Sequence, residues 1–271
     1  MIMELKQLGN TNVKVPEIGL GLWKYKGGVA PLHRGIELGA FLLDTAEVYG
    51  TEDVTGQAIK GIRDKVFIAT KVSGAHLRYD DVLKAADASL RELETDHIDL
   101  YQIHWPNSSV PIKDTMRAME TLVDRGQVKY IGVSNFSVRE LQEAQAAMRN
   151  HPIVANQVLY NLNDRDIERD LLPYCQKHQV TILAYTPLDD GRLAKAQKFW
   201  RGRSQGMKTL TEIATQTQKT LAQVALNWCI SRPNVIAIPK SDSVTRTEEN
   251  CAASGWRLSP EQVRALDKAF S

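Results

Sequence analysis

The sequence predicts an α/β chain folded as a (β/α)8 barrel, with a β-hairpin ahead of the first barrel strand and a short helix at the C-terminal end. Three observations carry that expectation. Short apolar, β-branched or aromatic runs alternate eight times with longer amphipathic stretches. Helix-start signals stand between those runs. No linker or low-complexity segment interrupts the 271 residues. A length above the ~150 residues of an average domain is ordinary for a barrel of this kind, so residues 1–271 are expected to form a single domain. Parallel strands need a crossover helix between them, and strict strand–helix alternation supplies one each time.

Taken in order, residues 1–16 read as the hairpin, with Gly9-Asn10 between two short apolar runs. Ile18 to Trp23, alternating glycine with apolar residues, makes the first barrel strand. The next are Phe41–Leu43, Val66–Ala69, Ile98–Ile103, Val128–Val133, Ile153–Ala155, Val180–Ala184 and Val235–Ile238. Between them, Val82, Leu83, Ala86, Leu90 and Leu93 recur at steps of three and four, which places them on one helix face. Ile112, Met116, Met119, Leu122 and Val123 repeat the pattern, as do Ile167, Leu171, Leu172 and Cys175. Ser137–Glu140 and Thr209–Glu212 fit the capping box, in which a hydroxyl and a carboxylate satisfy orphan amides. Ser259-Pro260-Glu261-Gln262 adds a proline at the first helical position, where its missing N–H costs nothing.

Composition narrows the function classes. Lys and Arg number 34 against 32 Asp and Glu, a net charge of +2 that gives no global basic field for nucleic acid. No stretch approaches the ~20 apolar residues of a membrane span, and the N-terminal residues carry charges where a signal peptide would be apolar. Cys175, Cys229 and Cys251 form no metal-type or redox-type pair and sit in apolar helical patterns, as free buried thiols do in a reducing compartment. A cytoplasmic protein, without nucleic-acid or membrane partner and monomeric, is the expectation.

In a barrel, the carboxyl ends of the strands share one mouth, where ligands bind. The apolar runs lead into Asp44, Lys71, His104, Ser134-Asn135, Asn156-Gln157, Tyr185 and Lys240-Ser241. Seven polar exits in series gain nothing for an apolar core, so the mouth is expected to be a polar site. Four residues make a chemical set: Asp44 and, five residues on, Tyr49; then Lys71 and His104 on the next two strands. A phenol titrates near pH 10 unless tuned, and an ammonium beside it is expected to favour the phenolate. Asp44 would keep Lys71 charged, and a neutral His104 would orient a carbonyl oxygen through its N–H. The set suits proton transfer to a carbonyl oxygen as hydride reaches carbon.

Gly19-Leu-Gly-Leu-Trp23, Asp44-Thr-Ala-Glu-Val-Tyr-Gly50, Ala69-Thr-Lys71, Ile98-Asp-Leu-Tyr-Gln-Ile-His-Trp-Pro106, Gly132-Val-Ser-Asn-Phe136, Asn156-Gln157, Ala184-Tyr-Thr-Pro-Leu188 and Ile238-Pro-Lys-Ser241 occur in one order over about residues 5 to 250. Together they closely resemble the aldo-keto reductases. That resemblance implies an NADPH-dependent reduction of aldehydes and ketones, with Asp44, Tyr49, Lys71 and His104 as the catalytic tetrad and Tyr49 as general acid. It implies that Ser134, Asn135 and Gln157 bind the nicotinamide carboxamide and that Tyr185 stacks beneath the ring. Gly21, Leu22, Asp44, Pro187 and Leu188 belong to the same implied cofactor set. Lys240, Ser241 and Arg246 match contacts to the 2′-phosphate, and Glu249 and Asn250 match adenine contacts, favouring NADPH over NADH. Trp23 and Trp105, with Tyr49 and His104, match the substrate pocket. No metal site is implied. The usual Gly-x-Gly-x-x-Gly helix opening is absent, as befits a dinucleotide held at a barrel mouth.

Four features depart from the pattern or add to it. Thr51 stands where the family often has Asn, and Asp189-Asp190 where a small residue is common. Little chain follows the helix at Pro260, which predicts an open site tolerant of small, medium and aromatic carbonyls. From Arg192 to Lys208 there are six basic residues, Arg192, Lys195, Lys198, Arg201, Arg203 and Lys208, and no acidic ones, a stretch expected to fold over the cofactor pyrophosphate. Two competing readings are a cofactor-sensing binding module and a metal-dependent barrel on His97, Asp99 and His104. The second is weak because residues 97 and 99 share a strand face that 104 does not.

Overall fold

In a computed structural model describing residues 2–195 and 204–271, the predicted alternation is a parallel eight-stranded sheet. The hairpin comes first, β1 (Leu5–Gln7) and β2 (Lys14–Pro16), paired antiparallel. The barrel strands follow as β3 (Leu20–Gly21), β4 (Leu42–Asp44), β5 (Phe67–Val72), β6 (Ile98–Ile103), β7 (Val128–Ser134), β8 (Ile153–Leu159), β9 (Thr181–Tyr185) and β10 (Val235–Ala237). Each pairs with its sequence neighbour. The sheet curls until its two edges meet: Ile18 bridges Ala237, Gly21 bridges Lys240, and Gly19 N–H donates to the Ala237 carbonyl at 2.8 Å.

Side chains alternate between two cores. Leu42, Phe67, Ala69, Leu100, Ala155, Leu183 and Ile236 fill the barrel interior. Leu8 and Val15 of the hairpin join that interior cluster, and Gly9 N–H donates to Thr181 Oγ1 at the start of β9. The hairpin therefore plugs the end opposite the mouth. Outward residues such as Ile68, Tyr101, Val133 and Ile182 pack under the helices.

Those helices are α1 (Val29–Glu37), α2 (Glu52–Ile59), α3 (Tyr79–Glu92), α4 (Ile112–Asp124), α5 (Val138–Ala147), α6 (Leu171–Lys177), α7 (Gln205–Thr217), α8 (Leu221–Ile230), α9 (Val244–Cys251) and α10 (Pro260–Ala269). Among the described residues, no helix is long and apolar enough to cross a membrane. The capping boxes at Ser137 and Ser259 form as expected. Two expectations need correction. Thr209–Glu212 lies inside α7, which starts four residues earlier at Gln205 behind the N-cap Ser204, whose side chain accepts from Met207 N–H. The Ile167–Cys175 face is broken into a 3-10 turn over Asp166–Glu168 and the short α6, because Asp170 caps Leu171 and opens a new helix there.

Candidate active site

The mouth holds a cavity of about 1100 Å3 whose walls come from the strand ends and the loops that follow them. Its floor is a buried ion pair. Asp44, the last residue of β4, is 2% exposed, and Lys71 on β5 is 0% exposed. Lys71 Nζ donates to Asp44 Oδ1 and to the Thr45 carbonyl, both at 2.7 Å. Asp44 Oδ2 accepts from Gln157 Nε2 at 2.7 Å and from Gln102 Nε2 at 3.4 Å. Burial pulls the Lys71 ammonium below its ordinary pKa, and Asp44 opposes that pull.

Tyr49 reaches this floor because the chain after β4 tightens into a 3-10 turn, Glu47–Tyr49, closed by Gly50 in the left-handed region (φ 61°). Glu47 fixes the turn to the neighbouring loop by accepting from Ser73 N–H at 2.9 Å. At the far side Glu52, buried at the start of α2, accepts from Thr70 Oγ1 at 2.6 Å, one residue before Lys71. The Tyr49 hydroxyl lies 3.3 Å from His104 Nε2, and Lys71 Nζ sits 4.8 Å from the phenol ring centroid. All four residues of the predicted set thus converge.

The ionisation balance differs from expectation at one point. Burial, followed by Asp44, raises the Tyr49 pKa, so Lys71 does not make it a resting phenolate. Lys71 Nζ donates to Asp44 and to the Thr45 carbonyl, and among the described residues it makes no hydrogen bond to the phenol oxygen. At neutral pH the Tyr49 hydroxyl therefore keeps its proton. His104 behaves as foreseen: burial, then Lys71, lowers it from 6.5 to about 4, so the imidazole is neutral at pH 7. In the unfolded chain this histidine takes a proton near pH 6.5 that the folded protein refuses until about pH 4. Its contribution to stability is therefore present above that window and falls as the pH drops through it. A side-chain NMR titration is expected to place His104 near 4, and a midpoint at 6 to 7 would show the pocket wetter than its packing implies.

Beside the tetrad, Ser134 Oγ and Asn135 N–H both donate to the Gln157 carbonyl at 2.9 Å. Asn135 holds a left-handed backbone (φ 63°), donates to the His104 carbonyl at 3.1 Å and accepts from the Tyr185 hydroxyl at 3.0 Å. This chain of bonds ties four strand ends into one polar wall with the Tyr185 ring on its flank. Pro187 and Leu188 continue the cavity lining. Trp23 packs against Tyr49 with ring centroids 4.8 Å apart. Trp23 and Trp105 both line the cavity and are 51% and 53% exposed, high values for tryptophan.

Farther along the cavity stand Lys240, Ser241, Arg246, Glu249 and Asn250. Arg246 is exposed on α9, and among the described residues no carboxylate pairs with its guanidinium. Gly21 is there for close approach: a Cβ would lie 2.6 Å from the Ile238 carbonyl oxygen. Leu22 is buried in the outer core, so only its backbone can face a cofactor. Asn156, read from the strand ending as a mouth residue, instead turns outward and bonds the Phe136 backbone. Gln102, which sequence reading passed over, does face the site. It shares the inward face of β6 with Leu100 and His104, and that period-2 pattern was the available signal. Of the basic stretch, Lys195 lines the cavity, Arg192 pairs with Asp189 at 2.9 Å, and Lys208 is exposed on α7. Lys198, Arg201 and Arg203 lie outside the described residues. Asp99 is engaged on the outer face by Arg63 at 2.7 Å and Lys129 at 3.0 Å, well placed for structure and not for a mouth metal.

A closed parallel barrel with a buried acid–lysine pair, a protonated tyrosine, a neutral histidine and a polar-to-cationic cleft defines an oxidoreductase built to hold a phosphorylated dinucleotide. The family model described as "Aldo/keto reductase family" matches residues 17–270, and the chain belongs to that family as an NADP-dependent oxidoreductase. It is 39% identical to methylglyoxal reductase YeaE of Escherichia coli (strain K12), over 96% of this chain and 92% of that one. It is 34% identical to the glyoxal reductase of Bacillus subtilis (strain 168), over 95% and 90%. An aldo/keto reductase of Klebsiella pneumoniae, solved with NADP and acetate, superposes with a TM-score of 0.89 at 38% identity, covering 99% of this chain and 96% of that one.

Proposed function

We propose that this protein reduces small aldehydes and ketones with NADPH, Tyr49 protonating the carbonyl oxygen. One observation carries the assignment: the Tyr49 hydroxyl and His104 Nε2 converge to 3.3 Å at the mouth, directly above the buried Lys71–Asp44 pair. The donor set fits the cofactor at both ends. Amide and hydroxyl groups of Ser134, Asn135 and Gln157 stand near Tyr49, with the Tyr185 ring beside them, while Lys240 and Arg246 offer cations for a phosphate. Bound NADPH supplies the hydride.

Tyr49 and His104 together can hold a carbonyl oxygen between an O–H and an N–H. As negative charge builds on that oxygen, the Tyr49 proton moves to it and the charge passes to the phenol. The Lys71 ammonium, 4.8 Å from the ring centroid, stabilises the phenolate as it forms. A raised resting pKa and a nearby cation are thus compatible: one keeps the proton in place until needed, the other helps the charged product. Neutral His104 adds a donor without adding a competing proton-binding site at neutral pH. Trp23 and Trp105 exclude water and present flat apolar faces to the substrate. The relatives that reduce methylglyoxal and glyoxal make short α-oxoaldehydes the first substrates to try, with aromatic aldehydes next because of the two indoles.

The test follows NADPH absorbance with a panel of α-oxoaldehydes, aromatic aldehydes and ketones. Turnover on at least one class is expected. Trp105→Ala is expected to raise KM for aromatic aldehydes about fivefold, with smaller effect on methylglyoxal, since one aromatic contact is worth about 1 kcal/mol. Negligible turnover across the panel, alongside tight NADPH binding, would favour a cofactor-sensing role instead.

A further inference from the structure

Where the two edges of the sheet meet, the loop after β3 and the loop after β10 touch. A Cβ on Gly27 would lie 2.9 Å from Asp242 Cα, so only a bare backbone fits between them. Asp242 joins the loops. Its Oδ1 accepts the Lys26 backbone N–H at 2.8 Å, and its Oδ2 pairs with the Lys240 ammonium. Asp242 also lines the same cavity as Lys240 and Arg246. Burial works against its charge, but the bonds from Lys240 and Lys26 outweigh that and hold the carboxyl below its ordinary range. An ionised acid therefore stands against one of the cations assigned to the cofactor phosphate.

We infer that Asp242 restrains this site's preference for a 2′-phosphorylated dinucleotide. Lys240 and Arg246 supply two positive charges at this end of the cavity, and Asp242 cancels one of them. A 2′-phosphate dianion must draw Lys240 away from Asp242 and then sit beside a like charge. A plain ribose meets the opposite situation, because an acidic side chain is the group that dinucleotide sites use to accept a ribose hydroxyl. The residue thus weakens NADP(H) and leaves a place for NAD(H), setting a ratio between them instead of an absolute choice. The inference rests on the cofactor assignment proposed above.

Asp242→Asn separates charge from shape, since the amide oxygen can still accept from Lys26. Binding would be measured by calorimetry for NADP+ and NAD+, with 2′,5′-ADP and ADP as a fragment pair free of any nicotinamide contact. The variant is expected to bind NADP+ and 2′,5′-ADP about five- to tenfold more tightly, NAD+ and ADP no more tightly, and the gain should shrink with added salt because the pair is partly exposed. Asp242→Ala, which also removes the Lys26 acceptor, should change the ratio in the same direction and guards against a folding defect in the first variant. Weaker NADP+ binding, or an equal gain for all four ligands, would overturn the inference. An Arg246→Ala variant that binds 2′,5′-ADP and NADP+ as tightly as the wild type would overturn the phosphate assignment beneath it.

Discussion

Tyr49→Phe is expected to lower kcat for carbonyl reduction by about 10²- to 10⁴-fold, the usual contribution of a positioned proton donor, while leaving NADPH affinity within a factor of a few. The substitution removes one oxygen. The ring keeps its packing against Trp23 at 4.8 Å and against His104 at 5.3 Å, so the walls of the site should stay in place. His104 Nε2 loses its 3.3 Å partner but remains partly open to water, which limits any cost to stability. The effect should fall on kcat and much less on KM, because the proton moves only as charge develops. The residual rate would measure what orientation by His104 and the bound cofactor achieve without the acid. Stopped-flow and steady-state NADPH oxidation on the variant decide it, and a phenylalanine enzyme with full turnover would transfer the acid role elsewhere.

How much of this was legible in the sequence depends on which physical rule places each residue. Asp44, Lys71 and His104 were legible because each follows an apolar run, and parallel strands in register bring the ends of consecutive runs side by side; Lys71 lies opposite Gln102 and Asp44 opposite Ala69. The resemblance then supplied the role of Tyr49, whose position depends on a turn that periodicity does not specify. That turn needs Gly50 at positive φ and the Glu47 link to Ser73, both matters of three-dimensional closure. The direction of the Tyr49 shift is illegible for a related reason. Proximity to a lysine was visible along the chain, but the depth of burial that outweighs it was not. Asn156 and Gln157 make the same point in miniature. They are adjacent in sequence and point to opposite sides of β8, one to the Phe136 backbone and the other to Asp44. The link between Glu52 and Thr70 had no linear signal, since it joins the start of a helix to a strand 18 residues on.

The second large effect concerns the buried pair itself. Lys71→Met is expected to destabilise the protein by about 3–5 kcal/mol, since removing one partner leaves a buried carboxylate without its cation. For a chain of this size that corresponds to a fall in Tm on the order of 10 °C. Asp44 would still accept from Gln157 and Gln102, but neutral amides replace only part of what an ammonium at 2.7 Å supplies. The double variant Asp44→Asn/Lys71→Met removes both charges and keeps an oxygen for the Gln157 amide. It is therefore expected to recover more than half of the lost stability and to remain as inactive as the single variant. That pattern would separate the two roles of the pair. Burying two charges gains the fold little over a neutral pair of similar shape, because desolvation offsets much of their attraction. On the proposed mechanism its advantage lies in the reaction, where a cation fixed near the Tyr49 ring would meet the phenolate as it forms. Thermal melts set beside NADPH oxidation on wild type, single and double variants decide the matter. A double variant that regains turnover with stability would show that Lys71 holds the mouth together without taking part in the proton transfer, and a single variant as stable and as active as wild type would show that it does neither.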